Sequence, residues 1–530
     1  ELYSKQDIEN IGTIGADGTV ALRGENLLNR GGISAENITA EADETISNSG
    51  SMQAKTDAIL RSENIINEAT VEESQYKELK QTKIAGTGSI TAGRDVTLAA
   101  EENITNRGGI LAAENDLTLS AGKIIDLTAV ASEKHVAVAY GSSSAEIHSV
   151  EQQQSLLAGE NISINAGENV NVSGGVLSAA QNAEINAGGD VNINAVKDIY
   201  SEESSVGSRG GSYYDRLKIV DESVKGTNLA AGENINVTGG RDINITGSAV
   251  TSESGRAELS AGNEVNIQNE TEYHERLHER HEKVSGILSS KTTDVYDYSN
   301  LNAVVGSDVS AGSVEIASGA DTSVKGSSVT ADKNADITAG GDLHIESAAQ
   351  TSESEYEKQV KKSGLLSGGG FGFTIGKEKQ RDEYAKQNSE QIGSTVGSVE
   401  GSVNLHAQGD ANIKGSDVIA GKDIAISGEN VNIENSNSIY NAQERHEYER
   451  SGLTVSVGGT AVEKVTEAVG HVERAAHVED ERLAALHGYK AYDTIKRNAE
   501  QVEGIAKGQG VTINVSIGTT KSKSESSSTT

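Results

Sequence analysis

Along most of the chain, a small residue, Gly, a free position and Asp or Asn lead into aliphatic, polar, aliphatic. This heptapeptide reads AGRDVTL from Ala92, AGENISI from Ala158, AGENVNV from Ala166, AGGDVNI from Ala187, AGENINV from Ala231 and GGRDINI from Gly239. Later copies are AGNEVNI from Ala261, AGGDLHI from Ala339, AGKDIAI from Ala420 and SGENVNI from Ser427. A period of two puts Val191 and Ile193, or Ile243 and Ile245, on one buried face of a short strand. Gly lets the backbone turn, and the Asn or Asp after it accepts local hydrogen bonds. Each copy is therefore a corner followed by a strand.

Paired copies start eight residues apart, as at Ala158 and Ala166 or Ala231 and Gly239, and the next copy follows about twenty residues on. That spacing predicts an all-β chain folded as a right-handed parallel β-helix, with coils stacked ~4.8 Å apart and aligned Asn residues forming hydrogen-bonded ladders. To about residue 125 a second unit serves the same purpose: NRGGI from Asn29 and from Asn106, with NSGSM from Asn48 between them. Residues 1–125 and 126–460 are read as two kinds of repeat in one continuous rod.

Charged or Ser/Gly-rich excursions interrupt the second region at about 196–227, 268–305, 348–398 and 435–460, the last leading into a segment of different character. In three of them a charged run from Tyr273, Tyr356 or Tyr440 reaches Ser285-Gly286-Ile287, Ser363-Gly364-Leu365 or Ser451-Gly452-Leu453. The last two continue in alternation as hairpin-like tips. Residues 461–507 carry Val462, Val465, Val469, Val472, Ala476, Leu483 and Leu486 at helical spacing and predict one amphipathic helical segment. In 508–530, Val511, Ile513, Val515 and Ile517 alternate as a strand before a Ser/Thr-rich tail.

Composition narrows the function. The 530 residues include no Pro, Cys or Trp and only two Phe, so thiolate metal sites, disulfides and cysteine nucleophiles are excluded. A formal net charge of −34 repels nucleic acid phosphates and anionic lipid headgroups. With 3% aromatic residues, the sugar platforms of a polysaccharide-cleaving β-helix enzyme are lacking. The chain opens inside a repeat at Glu1-Leu2-Tyr3-Ser4 and reads as an interior fragment.

His274-Glu275-Arg276-Leu277-His278 matches the HExxH pattern that binds zinc when a helix places its two His one turn apart. The surrounding EYHERLHERHEK is almost wholly charged, so such a helix would have no buried face, and the segment reads as a solvated stem. His471 and His477 are six residues apart, which suits a metal site less. No Gly-x-Ser-x-Gly elbow is present, Gly368-Gly369-Gly370 lacks the Lys-Ser/Thr of a phosphate loop, and the acidic turns lack a repeated calcium motif. No catalytic residue, cofactor site or metal site is expected. Leu365, Leu366, Phe371, Phe373, Ile375, Leu453, Val455 and Val457 are the candidate membrane-interacting residues, because alternate apolar positions suit a strand facing lipid. The competing expectation is that these tips fold back over the rod.

The Asn-x-Gly-x-Ile units resemble filamentous haemagglutinin repeats. The AG-x-[DN]-V-x-I copies, with the KKSGLLSGGGFGFTIG stretch at 361–376, are similar to the second haemagglutinin repeat region of two-partner-secreted exoproteins, notably contact-dependent growth inhibition effectors of the CdiA type. The resemblance implies a non-catalytic stalk exported by an outer-membrane partner transporter and displayed by a Gram-negative cell. It further implies a period of holding in the periplasm before deployment, association with the target-cell outer membrane, and help in delivering a C-terminal toxin. The secretion domain and the toxin of that family are not in this sequence. Lack of Cys and Pro suits export of an unfolded chain, without crosslinks or slow prolyl isomerisation. The alternative is a passive adhesin rod that binds host cells or matrix.

Overall fold

The computed structural model describes residues 1–367, 372–459 and 511–530, and every regular element among them is a β-strand. Short strands of successive coils pair in parallel to build three ladders. One coil supplies Gly175–Ala179, Ala183–Ala187 and Val191–Asn194, and each pairs in register with the next coil: Leu177 with Leu229, Ile185 with Val237, Ile193 with Ile245. In the first coils two of these strands run on as one, as in Thr19–Asn29, with a register shift between Gly24 and Asn26 marking the bend. The chain is a parallel β-helix.

The aliphatic pair of each heptapeptide points inward, as its period requires. Val191, Ile193, Ile243, Ile245, Val265 and Ile267 are fully buried, and each such side chain contributes roughly 1.5–3 kcal/mol of burial. Ile424, Val431 and Ile433, in the last described coil, are exposed, and among the described residues no further coil stacks on them. The expected Asn ladders form inside and outside. Outside, Asn192, Asn244 and Asn266 each donate to the Asn one coil back, beginning with Asn171, at 2.8, 2.9 and 3.1 Å. Inside one corner Asn10, Asn29, Asn48, Asn67 and Asn106 form a buried chain of 2.7 Å side-chain bonds. Asn106 passes it to Ser155. Beyond that point Ser and Thr hold the corner: Thr227, Ser248 and Ser307 accept or donate through Oγ and backbone N–H groups in succession. The two repeat types thus differ in how one corner satisfies its buried polar groups.

Among the described residues six antiparallel hairpins leave the rod, all at that corner. They are Thr70–Tyr76 with Leu79–Gly86, Val130–Tyr140 with Ser143–Gln153, Val196–Gly207 with Tyr213–Lys225, Glu270–Ser285 with Ser289–Val305, Ala348–Ser367 with Gly372–Ile392, and Ile439–Gly459 with Val511–Thr529. They occur on every second coil. On the coils between, the corner is closed by a glycine in the left-handed region, such as Gly174 at φ +64°, where a Cβ would lie 2.5 Å from Val196 at the root of the next hairpin. Two coils rise by about 9.6 Å, which equals the width of two paired strands. Each hairpin therefore abuts its neighbour, and the six merge into one twelve-stranded antiparallel sheet beside the rod.

Several expectations change in consequence. Among the described residues the excursions do not lie back on the rod; they pair edge to edge with one another. The hairpins at 70–86 and 130–153 fall where the pattern suggested uninterrupted rod, since neither carries the Tyr-to-Ser-Gly signature. The strand expected from Val511 runs on through the Ser/Thr-rich tail as the second strand of the sixth hairpin, paired from Val511 opposite Gly459 to Thr529 opposite Asn441. The helical expectation for 461–507 lies outside the described residues.

Candidate functional site

The hairpins lengthen along the rod, from strands of 7 and 8 residues in the first to 20 and 21 in the fifth. The fifth and sixth therefore project farthest. Their stems are held by charge rather than by a core. Arg381 forks onto Glu357 with bonds of 2.9 and 3.0 Å, Lys362 meets Glu378 at 2.9 Å and Lys521 meets Glu449 at 2.8 Å. Glu378 stays below the ordinary carboxylate range: partial burial opposes this, but its bonds to Lys362 and Tyr448 prevail. Tyr273, in the fourth hairpin, is pushed up to about 12, first by burial and then by Glu275 and Tyr298.

Farther out the chemistry changes within a few residues. Cross-strand partners share a face of a sheet, so the register sorts the tip by face. Leu365, Ile375, Leu453 and Ile517 form one row across four strands, and Phe373, Val455 and Val515 lie in the next row of the same face. Ile375, Leu453, Val515 and Ile517 are exposed there, Ile517 at 86%. On the other face Leu366 is opposite Thr374, which is opposite Thr454. Leu366 and Thr374 are buried, and the two Thr hydroxyls bond at 2.9 Å. The rows are separated from the charged stem by Gly364, Gly376, Gly452 and Gly518, aligned strand by strand. With no side chains in that row, Arg450 reaches over it to donate to Thr374 Oγ1 at 2.9 Å.

Of the eight residues singled out in the sequence, five come together on one exposed face: Leu365, Phe373, Ile375, Leu453 and Val455. Leu366 faces the other way. Val457 takes the register position opposite Ile513, and Phe371 lies outside the described residues. Val515 and Ile517 belong to the same surface and were not among the eight. Their alternation was visible, but nothing local announces that a strand about fifty residues later returns to pair with 453–459.

The HExxH segment lies on a strand, Glu270–Ser285, not a helix. Four residues along a strand are ~13 Å, so His274 and His278 share a face without converging, and His281 faces the opposite way. Each instead has a carboxylate beside it: Asp221 for His274, Asp215 at 3.1 Å for His278 and Asp294 at 2.6 Å for His281. Among the described residues no group of three or more His, Asp or Glu side chains is placed to hold a metal ion. Among them, too, no helix is long and apolar enough to cross a membrane.

Comparison with known proteins agrees with the fold. The hemagglutinin repeat family model matches residues 69–137, 136–218, 214–362 and 375–480, and a second haemagglutinin repeat model matches 4–71. The two models change over where the first hairpin leaves the rod. A 16S rRNA endonuclease CdiA from Enterobacter cloacae is 35% identical over 322 residues, covering 60% of this chain and 9% of that protein. A tRNA nuclease CdiA from Escherichia coli is 30% identical over 439 residues, 81% of this chain and 13% of the relative. A toxin CdiA from Yersinia pestis is 37% identical over 223 residues, 41% and 7% respectively. The chain thus spans roughly a tenth of the length of these relatives. No solved structure matches it significantly. The chain belongs to the haemagglutinin repeat family, and what it builds is a β-helical stalk of the filamentous haemagglutinin and CdiA type.

Proposed function

We propose that this stalk is the non-catalytic delivery segment of a contact-dependent growth inhibition effector, which associates with the outer membrane of a target cell and helps a C-terminal toxin to enter. Secretion through an outer-membrane two-partner transporter, holding in the periplasm and display on a Gram-negative surface belong to the same reading. The observation that carries it is the one-sided apolar tip on the two longest hairpins. A strand facing lipid on one side alternates apolar with small polar residues, which is the arrangement of Leu365, Ile375 and Leu453 against Thr374 and Thr454. Among the described residues the apolar register runs from the Leu453–Ile517 pair to the Val457–Ile513 pair. Five residues reach ~17 Å, short of the ~9–11 residues a membrane-crossing strand needs, so the tip enters one leaflet.

The test is Phe373→Asp with Leu453→Asp in the full-length parent protein, scoring surface display, target-cell binding and toxin entry separately. Normal display and binding with lost entry is the expected result. Unchanged entry refutes the reading, and an adhesin rod predicts lost binding instead.

A further inference from the structure

Immediately below the glycine row, the sheet reverses the charge of the whole chain. The next three rows of six strands, 283–285, 290–292, 361–363, 377–379, 449–451 and 519–521, hold eight cations against two carboxylates. One row reads Lys283, Thr292, Lys361, Lys379, Glu449, Lys521 across the sheet, on the same face as the apolar patch, and Lys377 stands two residues closer to the tip on that face. Lys361 and Lys379 are directly opposite each other, as are Lys291 and Lys362 on the reverse face. Directly opposed like charges destabilise a sheet. Among the described residues, no carboxylate lies within ion-pair distance of Lys283, Lys291, Lys361 or Lys377, and all four are exposed. Elsewhere in the hairpins Asp and Glu outnumber Lys and Arg, and pairs such as Arg216 with Glu203 and Glu279 or Lys218 with Glu275 are set among surplus carboxylates. The excess of positive charge is confined to this band.

An apolar wedge backed at once by a cationic band has a specific complement. We infer that the tip recognises an anionic, phosphate-bearing lipid leaflet: the apolar rows enter the acyl region and the lysine band meets the headgroup phosphates. Long lysine stems extend along the apolar rows while their ammonium groups stay at the polar level. Lys377 lies two residues, ~7 Å, from the Ile375 row, and the Lys361 row about as far again, which matches the depth of a headgroup layer rather than a single plane. The exposed turn of the fourth hairpin, with Ile287 82% and Leu288 44% exposed, lies at the same level and widens the contact. The net charge of −34 hides this band, because the rest of the chain is acidic; repulsion by the rod then favours an approach in which only the tip meets the surface.

The inference rests on the membrane reading above, and the experiment separates the two. The intact chain is bound to vesicles of phosphatidylcholine alone and of phosphatidylcholine with phosphatidylglycerol, at low and high salt. Preference for the anionic vesicles, weakened by salt, is expected. The triple change Lys361→Gln, Lys377→Gln, Lys379→Gln should lower anionic binding about a hundredfold, at about fivefold per lysine, while leaving the weaker binding to neutral vesicles in place. The matching Lys→Arg triple keeps the charge and should retain the preference. Equal binding of the unmodified chain to both vesicles, an undiminished preference in the Gln triple, or loss of preference in the Arg triple overturns the cationic band and leaves membrane association standing. Binding to neither vesicle overturns both.

Discussion

The rod and the sheet beside it use the same alternation of side chains for opposite ends. In the rod, three ladders close on themselves, so one side of the alternation, Val191 and Ile193 or Ile243 and Ile245, loses all contact with water. In the sheet both faces stay wet. Among the described residues the hydrophobic side chains buried in the hairpins are Val130, Val150 and Ala348 near the roots and Leu366 at the tip; between them the strands rely on cross-strand charge pairs and on the hydrogen bonds of the ladder. The rod is stable through its own contacts, whereas the sheet takes its strand spacing from the rod. This difference ranks their responses to change.

The largest effect should come from breaking the closed side of the rod. Ile193→Asp places a carboxylate without partners between Val172 and Ile245 and should cost several kcal/mol, unfolding neighbouring coils along with their hairpins. Asn192→Ala, one residue away but facing out, removes two ladder bonds of 2.8 and 2.9 Å and should cost about 1 kcal/mol. Chemical denaturation of both variants compares them; equal costs would refute the assigned strand register.

A smaller and local effect should follow from changing the coil count without touching any side chain of the sheet. Duplicating the hairpin-free coil 228–248 would set the third and fourth hairpins three coils apart, ~14 Å, so that two strands no longer fill the interval. The nine pairs from Tyr213 opposite Glu282 to Asp221 opposite His274 should be lost, each worth roughly 0.2–1 kcal/mol. Hydrogen exchange should then show Tyr213–Lys225 and Glu270–Ser285 unprotected at the break and the rod unchanged. A sheet that stayed continuous would mean that the rod does not set its spacing.

This dependence explains what could be read from the chain. The inward pairs were legible because a corner glycine and a period of two are local signals, and the later hairpins because Tyr356 to Gly364 and Tyr440 to Gly452 repeat a signature. The hairpins at 70–86 and 130–153 have no such mark. That all six form one sheet depends on how many coils separate them, a count that no stretch of sequence displays. The HExxH pattern misleads for a related reason. Its meaning belongs to a helix, and pairing of Glu270–Ser285 with the strands on both sides fixes an extended backbone instead. The tip was half legible: 365–375 and 453–457 were recognised as apolar, but the charge reversal below them appears only when the rows are laid side by side.

The smallest expected effect concerns pH, and it should appear in the sheet alone. His446, on the sixth hairpin, has Asp382 of the fifth hairpin 2.8 Å from Nδ1 and Glu444 2.6 Å from Nε2, with the Tyr384 ring edge-on at 5.5 Å. Lys358, opposite Asp382, is the cation facing this group. The bond to Asp382, then that to Glu444, raises the imidazole above its ordinary value of 6.5. A raised folded value means that the charged pairing is fully present below about pH 6.5 and fades as pH rises through the higher folded midpoint. A titration followed by NMR should place the His446 midpoint above that of an unstructured histidine. Hydrogen exchange should show the pairing of Gly372–Ile392 with Ile439–Gly459 better protected on the acid side of that midpoint than on the alkaline side. His446→Gln should abolish the difference, while coils such as 183–194, which have no histidine, keep the same protection throughout. A pH dependence that persisted in the Gln variant, or that appeared equally in those coils, would show that the charge pairs of the sheet are not what distinguishes its stability from that of the rod.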